Sequence, residues 1–75
     1  MRITIKLIGP FVKACGFSEK QLDVDEAITP SELAPLIGLG NTRPRILTRN
    51  GQALASHESL RDGDRIVISP IYSGG

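Results

Sequence analysis

The sequence ends in two glycines, Gly74 and Gly75, and the terminal carboxylate of Gly75 is the one reactive group at that end. A carboxylate is a poor electrophile because its negative charge repels nucleophiles. Once it is joined to AMP as a mixed anhydride, it becomes an acyl donor, and sulfide can displace the AMP to leave a thiocarboxylate. Glycines have no Cβ, so such a tail can thread a channel too narrow for other residues. The ending therefore suggests chemistry done on this chain by a partner.

Other residues that could do chemistry are few and isolated. The single cysteine, Cys15, follows an apolar helical pattern and is interpreted as a packing residue, with a reactive thiol as the alternative. The single histidine, His57, lies in a polar stretch and is expected to be a solvated loop residue. Asp62 and Asp64 flank a glycine, which favours a turn over a calcium loop, since calcium requires more oxygen ligands. We therefore expect no catalytic residues and no metal site.

The composition is that of one small globular domain. The chain has 75 residues, of which 40% are hydrophobic and 23% charged, with a formal net charge of +1. A nucleic-acid partner is not expected, because binding to phosphates requires a concentrated basic surface. No apolar run approaches the length of a bilayer span, so a membrane partner is not expected either. A single cysteine and the lack of a signal sequence predict a cytoplasmic protein.

The first half of the chain predicts two strands around a short helix. Apolar and polar residues alternate over 2–8, which is typical of a half-buried strand. The pair Gly9-Pro10 stops that strand, and one or two helical turns follow, ending at Gly16 in a left-handed cap. Alternation returns over 20–25 and predicts a second strand that runs antiparallel beside the first.

The second half predicts one main helix and the rest of a sheet. Thr29-Pro30-Ser31-Glu32 has the pattern of a capping box, and Pro35 predicts that the helix is short or kinked, ending near 38–40. A third strand over 45–49 is joined by Asn50-Gly51 to a brief fourth strand over 52–54, and the Asp62 turn leads into a last strand over 65–69.

This order of elements predicts an α+β fold of the β-grasp (ubiquitin-like) class. We expect a mixed sheet of four to five strands, with the main helix on one face and the first and last strands side by side in its centre. Residues 1–70 form the single domain in this prediction, and residues 71–75 form a flexible C-terminal tail ending in Gly-Gly.

Several segments, in this order and spacing, resemble the ThiS/MoaD family of ubiquitin-like sulfur carrier proteins. They are "TPSEL", "NGQAL", "LRDGDRIVISP" and the terminal "SGG". The insertion over 9–18, with its short helix, is closer to the small subunit of molybdopterin synthase than to the thiamine carrier. The resemblance implies a sulfur carrier that serves cofactor biosynthesis, with molybdopterin as the favoured product.

By this resemblance Gly75 is the residue that is adenylated and thiocarboxylated, while Tyr72, Ser73 and Gly74 thread the partner's active site. The implied partners are an E1-like adenylyltransferase that uses ATP, a sulfur donor (a sulfurtransferase or cysteine desulfurase), and an acceptor such as the large subunit of molybdopterin synthase. The chain itself binds no cofactor and is a protein co-substrate in this interpretation.

Two alternatives stay open at this point. Within the same class, the chain carries sulfur for thiamine, for thiolated tRNA or for another metabolite, or it is a ubiquitin-like modifier ligated to lysines. In a different class, it is a β-grasp interaction module whose Gly-Gly is incidental.

A partner-binding face is predicted on the sheet. If Ile66 and Ile68 face the helix, Val67 faces away from it, because side chains alternate along a strand. Val67 would then form an apolar patch with Ile71 and with whichever of Ile46 and Leu47 faces outward. On the tail, Tyr72 is the expected binding hot spot, with packing against its own sheet as the alternative.

Overall fold

Five strands and two helices follow one another in the described part of the chain, which comprises residues 1–25, 27–40 and 45–71 of a computed structural model. Their bounds are β1 Arg2–Leu7, α1 Pro10–Cys15, β2 Glu19–Asp23, α2 Pro30–Leu36, β3 Arg45–Arg49, β4 Gln52–Ala53 and β5 Arg65–Pro70.

The strands form one mixed sheet in the order β2-β1-β5-β3-β4. β1 and β5 are parallel in the centre, with Ile5 opposite Ile66, while β2 and β3 pair antiparallel on either side of them. The predicted α+β β-grasp fold, with the first and last strands adjacent, is confirmed.

The core lies between one face of this sheet and α2. Period-two alternation along β1 and β5 turns Ile3, Ile5, Ile66 and Ile68 to this face, where each is at most 2% exposed, and Leu33 of α2 packs against them. The buried apolar residues of the core are Ile3, Ile5, Leu7, Phe11, Leu33, Ala34, Ile37, Leu39, Leu54, Leu60, Ile66 and Ile68.

Local hydrogen bonds determine where helix α2 begins and ends. The Thr29 hydroxyl accepts a hydrogen bond from the Glu32 N–H at 3.4 Å, and the Glu32 carboxylate accepts one from the Thr29 N–H at 3.1 Å, which closes the predicted capping box. Pro35 lies inside the helix, which ends at Leu36. Gly38, at φ 82°, then allows the Leu39 N–H to reach the Ala34 carbonyl at 2.9 Å.

Strand boundaries differ slightly from the prediction. The second strand is Glu19–Asp23, whereas alternation indicated 20–25, because β1 begins at Arg2 and offers no ladder partner past Asp23. Val24 still donates its N–H to the Met1 carbonyl at 2.8 Å. Likewise the last strand extends to Pro70, which pairs with Arg45 on β3.

Candidate functional site

The candidate site is the face of the sheet opposite α2, called here the outer face. Because Ile66 and Ile68 face α2, Val67 and Ser69 project to the outer face, as the alternation predicted. Val67 lies opposite Thr48 of β3 and opposite Lys6 of β1.

The pairing of β3 with β5 resolves the alternative between Ile46 and Leu47. Leu47 lies opposite the buried Ile68 and packs against the core, whereas Ile46 lies opposite Ser69 and is 46% exposed. Ile46 is therefore the outward residue, and Leu47 does not belong to the outer face.

The outer face contains a fourth apolar side chain, that of Ile8, which the predicted partner-binding face did not include. Ile8 donates its N–H to the Ile68 carbonyl at 3.0 Å, which extends the parallel ladder one residue past β1 and places Ile8 beside Ser69. Ile8 is 37% exposed, and Ile71, two residues beyond Ser69, is 51% exposed. Ile8, Ile46, Val67 and Ile71 form what we call the outer patch. The signal for Ile8 was present in the sequence, since it continues the alternation of β1.

The outer patch occupies one end of the outer face, the Arg2–Asp23 ion pair occupies the other end, and the Arg65–Glu19 pair lies between them. Arg2 and Asp23 are 2.9 Å apart, and Arg65 and Glu19 are 3.1 Å apart. β1 and β5 run parallel from the charged end to the apolar end. The apolar end is therefore the end where β5 stops at Pro70 and the chain continues to Ile71.

The predicted modification site lies beyond this point. Tyr72, Ser73, Gly74 and Gly75 are outside the described residues, so their predicted roles remain predictions. Ile71 is the last described residue, and it belongs to the outer patch by its position and exposure.

Cys15 ends α1 and is half-buried against the core. Burial raises the pKa of its thiol, and the positive charge of Arg45 lowers it by a smaller amount. A raised pKa reduces the thiolate fraction at neutral pH and so makes the sulfur a weaker nucleophile.

The aspartates of the 62–64 turn bind backbone and a guanidinium. Asp62 accepts a hydrogen bond from the Arg2 N–H at 2.6 Å, and the nearly buried Asp64 accepts one from the Arg61 N–H at 2.8 Å. Asp64 also lies 3.5 Å from the guanidinium of Arg49, which donates to the Ser59 carbonyl at 2.9 Å. These contacts hold the loop before β5 against β3 and β1.

His57 is exposed. Within the described residues no cluster of three or more His, Cys, Asp or Glu side chains is suited to hold a metal ion. The helices of the described residues are α1 and α2. Neither of them is long and apolar enough to span a bilayer.

Several solved structures share this fold. SAMP1 from Haloferax volcanii has a TM-score of 0.76 and 25% identity over 100% of both chains. A putative molybdopterin converting factor subunit 1 from Pyrococcus furiosus has a TM-score of 0.76 and 19% identity, covering 93% of this chain and 97% of that one. A ubiquitin-like protein from Caldiarchaeum subterraneum has a TM-score of 0.57 and 24% identity, covering 99% of this chain and 100% of that one. No protein-family model matches the chain.

The fold is thus that of a ubiquitin-like β-grasp protein. Its structural neighbours are small modifiers and a molybdopterin converting factor subunit, which are proteins of the ThiS/MoaD type. The resemblance to ThiS/MoaD proteins deduced from the sequence is therefore confirmed.

Proposed function

We propose that this protein is a sulfur carrier that is activated at the carboxylate of Gly75, with the molybdopterin precursor as the favoured sulfur acceptor. The observation that carries the proposal is the course of β5, which runs along the outer patch and leads to Ile71, four residues before Gly75. Four extended residues span up to about 14 Å, which is enough to reach into a partner's active site while the outer patch remains in contact with its surface.

The chemistry consists of two displacements, the first at the α-phosphorus of ATP and the second at the carbonyl carbon of Gly75. In the first, a carboxylate oxygen attacks the α-phosphorus of ATP, pyrophosphate leaves, and the acyl adenylate forms. In the second, sulfide attacks the carbonyl carbon, a C–S bond replaces the bond to AMP, and a proton is released. The E1-like partner supplies ATP and catalysis. A sulfurtransferase or cysteine desulfurase supplies the sulfur as a persulfide, and a thiol reductant releases it as sulfide while being oxidised to a disulfide.

The outer patch has a separate role in this proposal. It binds the surface around the partner's channel, with Ile46, Val67 and Ile71 in contact, while Tyr72 is the hot spot on the tail, and Ser73 and Gly74 pass through the channel. Apolar residues exposed together on one face favour such a contact. Because both the adenylyltransferase and the acceptor must reach Gly75, the two partners use this surface in turn.

A second candidate function is that of a protein modifier ligated to lysines. The similarity to SAMP1 over the full length of both chains favours it, because a structural neighbour is named a small archaeal modifier protein. Both functions require an adenylated Gly75 and differ only in the nucleophile that displaces AMP.

The test is intact-mass spectrometry of the chain after incubation with the E1-like adenylyltransferase of its source organism, ATP and sulfide. We expect the mass to rise by the difference between sulfur and oxygen. Deletion of Gly75, addition of one residue after it, or Gly74→Val should abolish the gain without changing the melting temperature. Cys15→Ser is the matched control, and it should keep the gain because the sulfur is carried on the carboxylate.

Adenylation of the lengthened chain without removal of the added residue would contradict activation at Gly75. A folded but inactive Cys15→Ser variant would place the sulfur on the thiol. Denaturation-resistant adducts to other proteins that require Gly75 would support the modifier function. An unmodified chain in all of these assays would favour the interaction module.

A further inference from the structure

Lys6 differs from the other charged residues of β1, β2 and β5 on the outer face. Arg2 is paired with Asp23, and Arg65 is paired with Glu19. The ammonium of Lys6 makes no ion pair or hydrogen bond with any residue in 1–25, 27–40 or 45–71. Glu19 is its register partner on β2, yet the carboxylate of Glu19 is bound to Arg65 on the far side of β1.

The position of Lys6 is at the border of the outer patch. It lies directly opposite Val67 in the parallel ladder and is half-buried, so its aliphatic stem covers part of the sheet while its charged end reaches solvent. The three charges of Lys6, Glu19 and Arg65 add up to one positive charge beside an apolar surface.

This arrangement disfavours a second copy of the chain as the occupant of the patch. A twofold contact through the outer patch would bring two Lys6 side chains to the same interface. The carboxylate of Glu19, the register partner of Lys6 on this face, is already bound to Arg65. A self-contact therefore lacks the negative group that the lysine requires.

We propose that Lys6 binds a carboxylate on the adenylating partner, at the rim of an apolar contact made by the outer patch. The inference rests on the proposed function, since it names the surface chemistry of the partner that activates Gly75. The partner presents apolar side chains to Ile8, Ile46 and Val67, and an Asp or Glu beside them to Lys6. Rim charges of this kind mainly affect association rate and salt dependence.

The experiment measures the kinetics with which the E1-like adenylyltransferase adenylates the full chain. The release of pyrophosphate is the readout. Lys6→Glu is compared with Lys13→Glu, which makes the same charge change on the exposed surface of α1. We expect Lys6→Glu to lower kcat/KM about five- to tenfold through KM, with kcat unchanged, because it replaces an attraction with a repulsion. Lys6→Arg should retain wild-type kinetics, and Lys6→Gln should reduce the salt dependence of kcat/KM.

Each outcome has one interpretation. If the wild-type chain is adenylated but Lys6→Glu and Lys13→Glu have the same kcat/KM, the proposed contact of Lys6 is wrong and the proposed function stands. If the wild-type chain is not adenylated, both fall. A lower kcat/KM that is matched by a lower melting temperature, or a change in sedimentation mass of the free chain on Lys6→Glu, would also overturn the proposal. The first would show a structural role for Lys6, and the second a contact between copies of the chain.

Discussion

Asp64 is a charged residue that is only 6% exposed, and its partners explain why it is tolerated there. It accepts the Arg61 N–H at 2.8 Å and lies 3.5 Å from the guanidinium of Arg49, whose side chain is 25% exposed. A buried charge is stable only while its hydrogen-bond partners are present. We expect Asp64→Asn to lower the free energy of unfolding by about 1–3 kcal/mol, because it removes the negative charge that both donors face.

Urea unfolding monitored by circular dichroism measures this change. Asp25→Asn is the control, since it removes the same charge from an exposed position. Equal stability of the two variants would show that the buried carboxylate contributes nothing to the fold.

A second residue-level prediction concerns Asp23. The Arg2 guanidinium lowers the pKa of this carboxyl, first through the hydrogen bond at 2.9 Å and then through its charge. Because the folded pKa lies below the unfolded one, the contribution of the pair is present above the unfolded pKa and is lost as pH falls through the folded pKa. Both side chains are exposed, so the effect on stability is small.

The measurement for Asp23 is an NMR titration of its carboxyl carbon. Arg2→Gln should raise the midpoint towards the ordinary value for aspartate, whereas Lys13→Gln, which removes a positive charge from α1, should leave it unchanged. An identical midpoint in wild type and Arg2→Gln would show that the pair is absent in solution.

At the scale of the element, α2 depends on its caps because it is only seven residues long. Isolated helices of this length are unstable. The packing of Leu33 and the capping box at Thr29 must therefore supply the stability that so short a helix lacks. Thr29→Ala removes the side-chain acceptor for the Glu32 N–H, which also donates to the Thr29 carbonyl at 3.0 Å. We expect the substitution to lower the free energy of unfolding by about 1 kcal/mol and the melting temperature by roughly 4–8 °C.

Ser31→Ala is the matched control for Thr29→Ala, since Ser31 is exposed and its side chain makes no capping bond. Differential scanning calorimetry gives both midpoints. Equal midpoints for the two variants would contradict the role of the cap.

At the scale of the whole molecule, stability is concentrated where β1 and β5 meet. Ile5 and Ile66 lie opposite each other there, and both are fully buried. Ile66→Ala should lower the free energy of unfolding by about 2–5 kcal/mol. A core of this size supplies a net stability of only roughly 3–5 kcal/mol. We therefore expect this variant to be largely unfolded at room temperature. Ile66→Val should cost about 0.5–1.5 kcal/mol and remain folded.

Ile46→Ala is the control on the other side of the sheet, and it should keep the wild-type melting temperature because Ile46 is 46% exposed. Circular dichroism at increasing temperature distinguishes the three variants. A stable Ile66→Ala, or an Ile46→Ala variant that melts early, would show that the two faces of the sheet have been assigned in reverse.

The sequence by itself determined those features whose physical causes are local. Alternation marks β1 and β5 because side chains alternate in direction along a strand, and the Thr29 box marks the start of α2 because both of its hydrogen bonds join residues three apart. The adjacency of β1 and β5 also followed from the order of elements, since few sheet topologies accommodate one helix between two hairpins.

Only the tertiary structure decided which apolar residues face outward and which charges have partners. Ile46 and Leu47 are adjacent and both apolar, so alternation does not say which of them is inside, and the pairing of Leu47 with Ile68 settles it. One carboxylate that pairs with Arg49 is that of Asp64, fifteen residues along the chain, and Glu19 pairs with Arg65, forty-six residues along. Such contacts depend on strand register, which is fixed by packing of the whole sheet and leaves no mark in any short stretch of sequence.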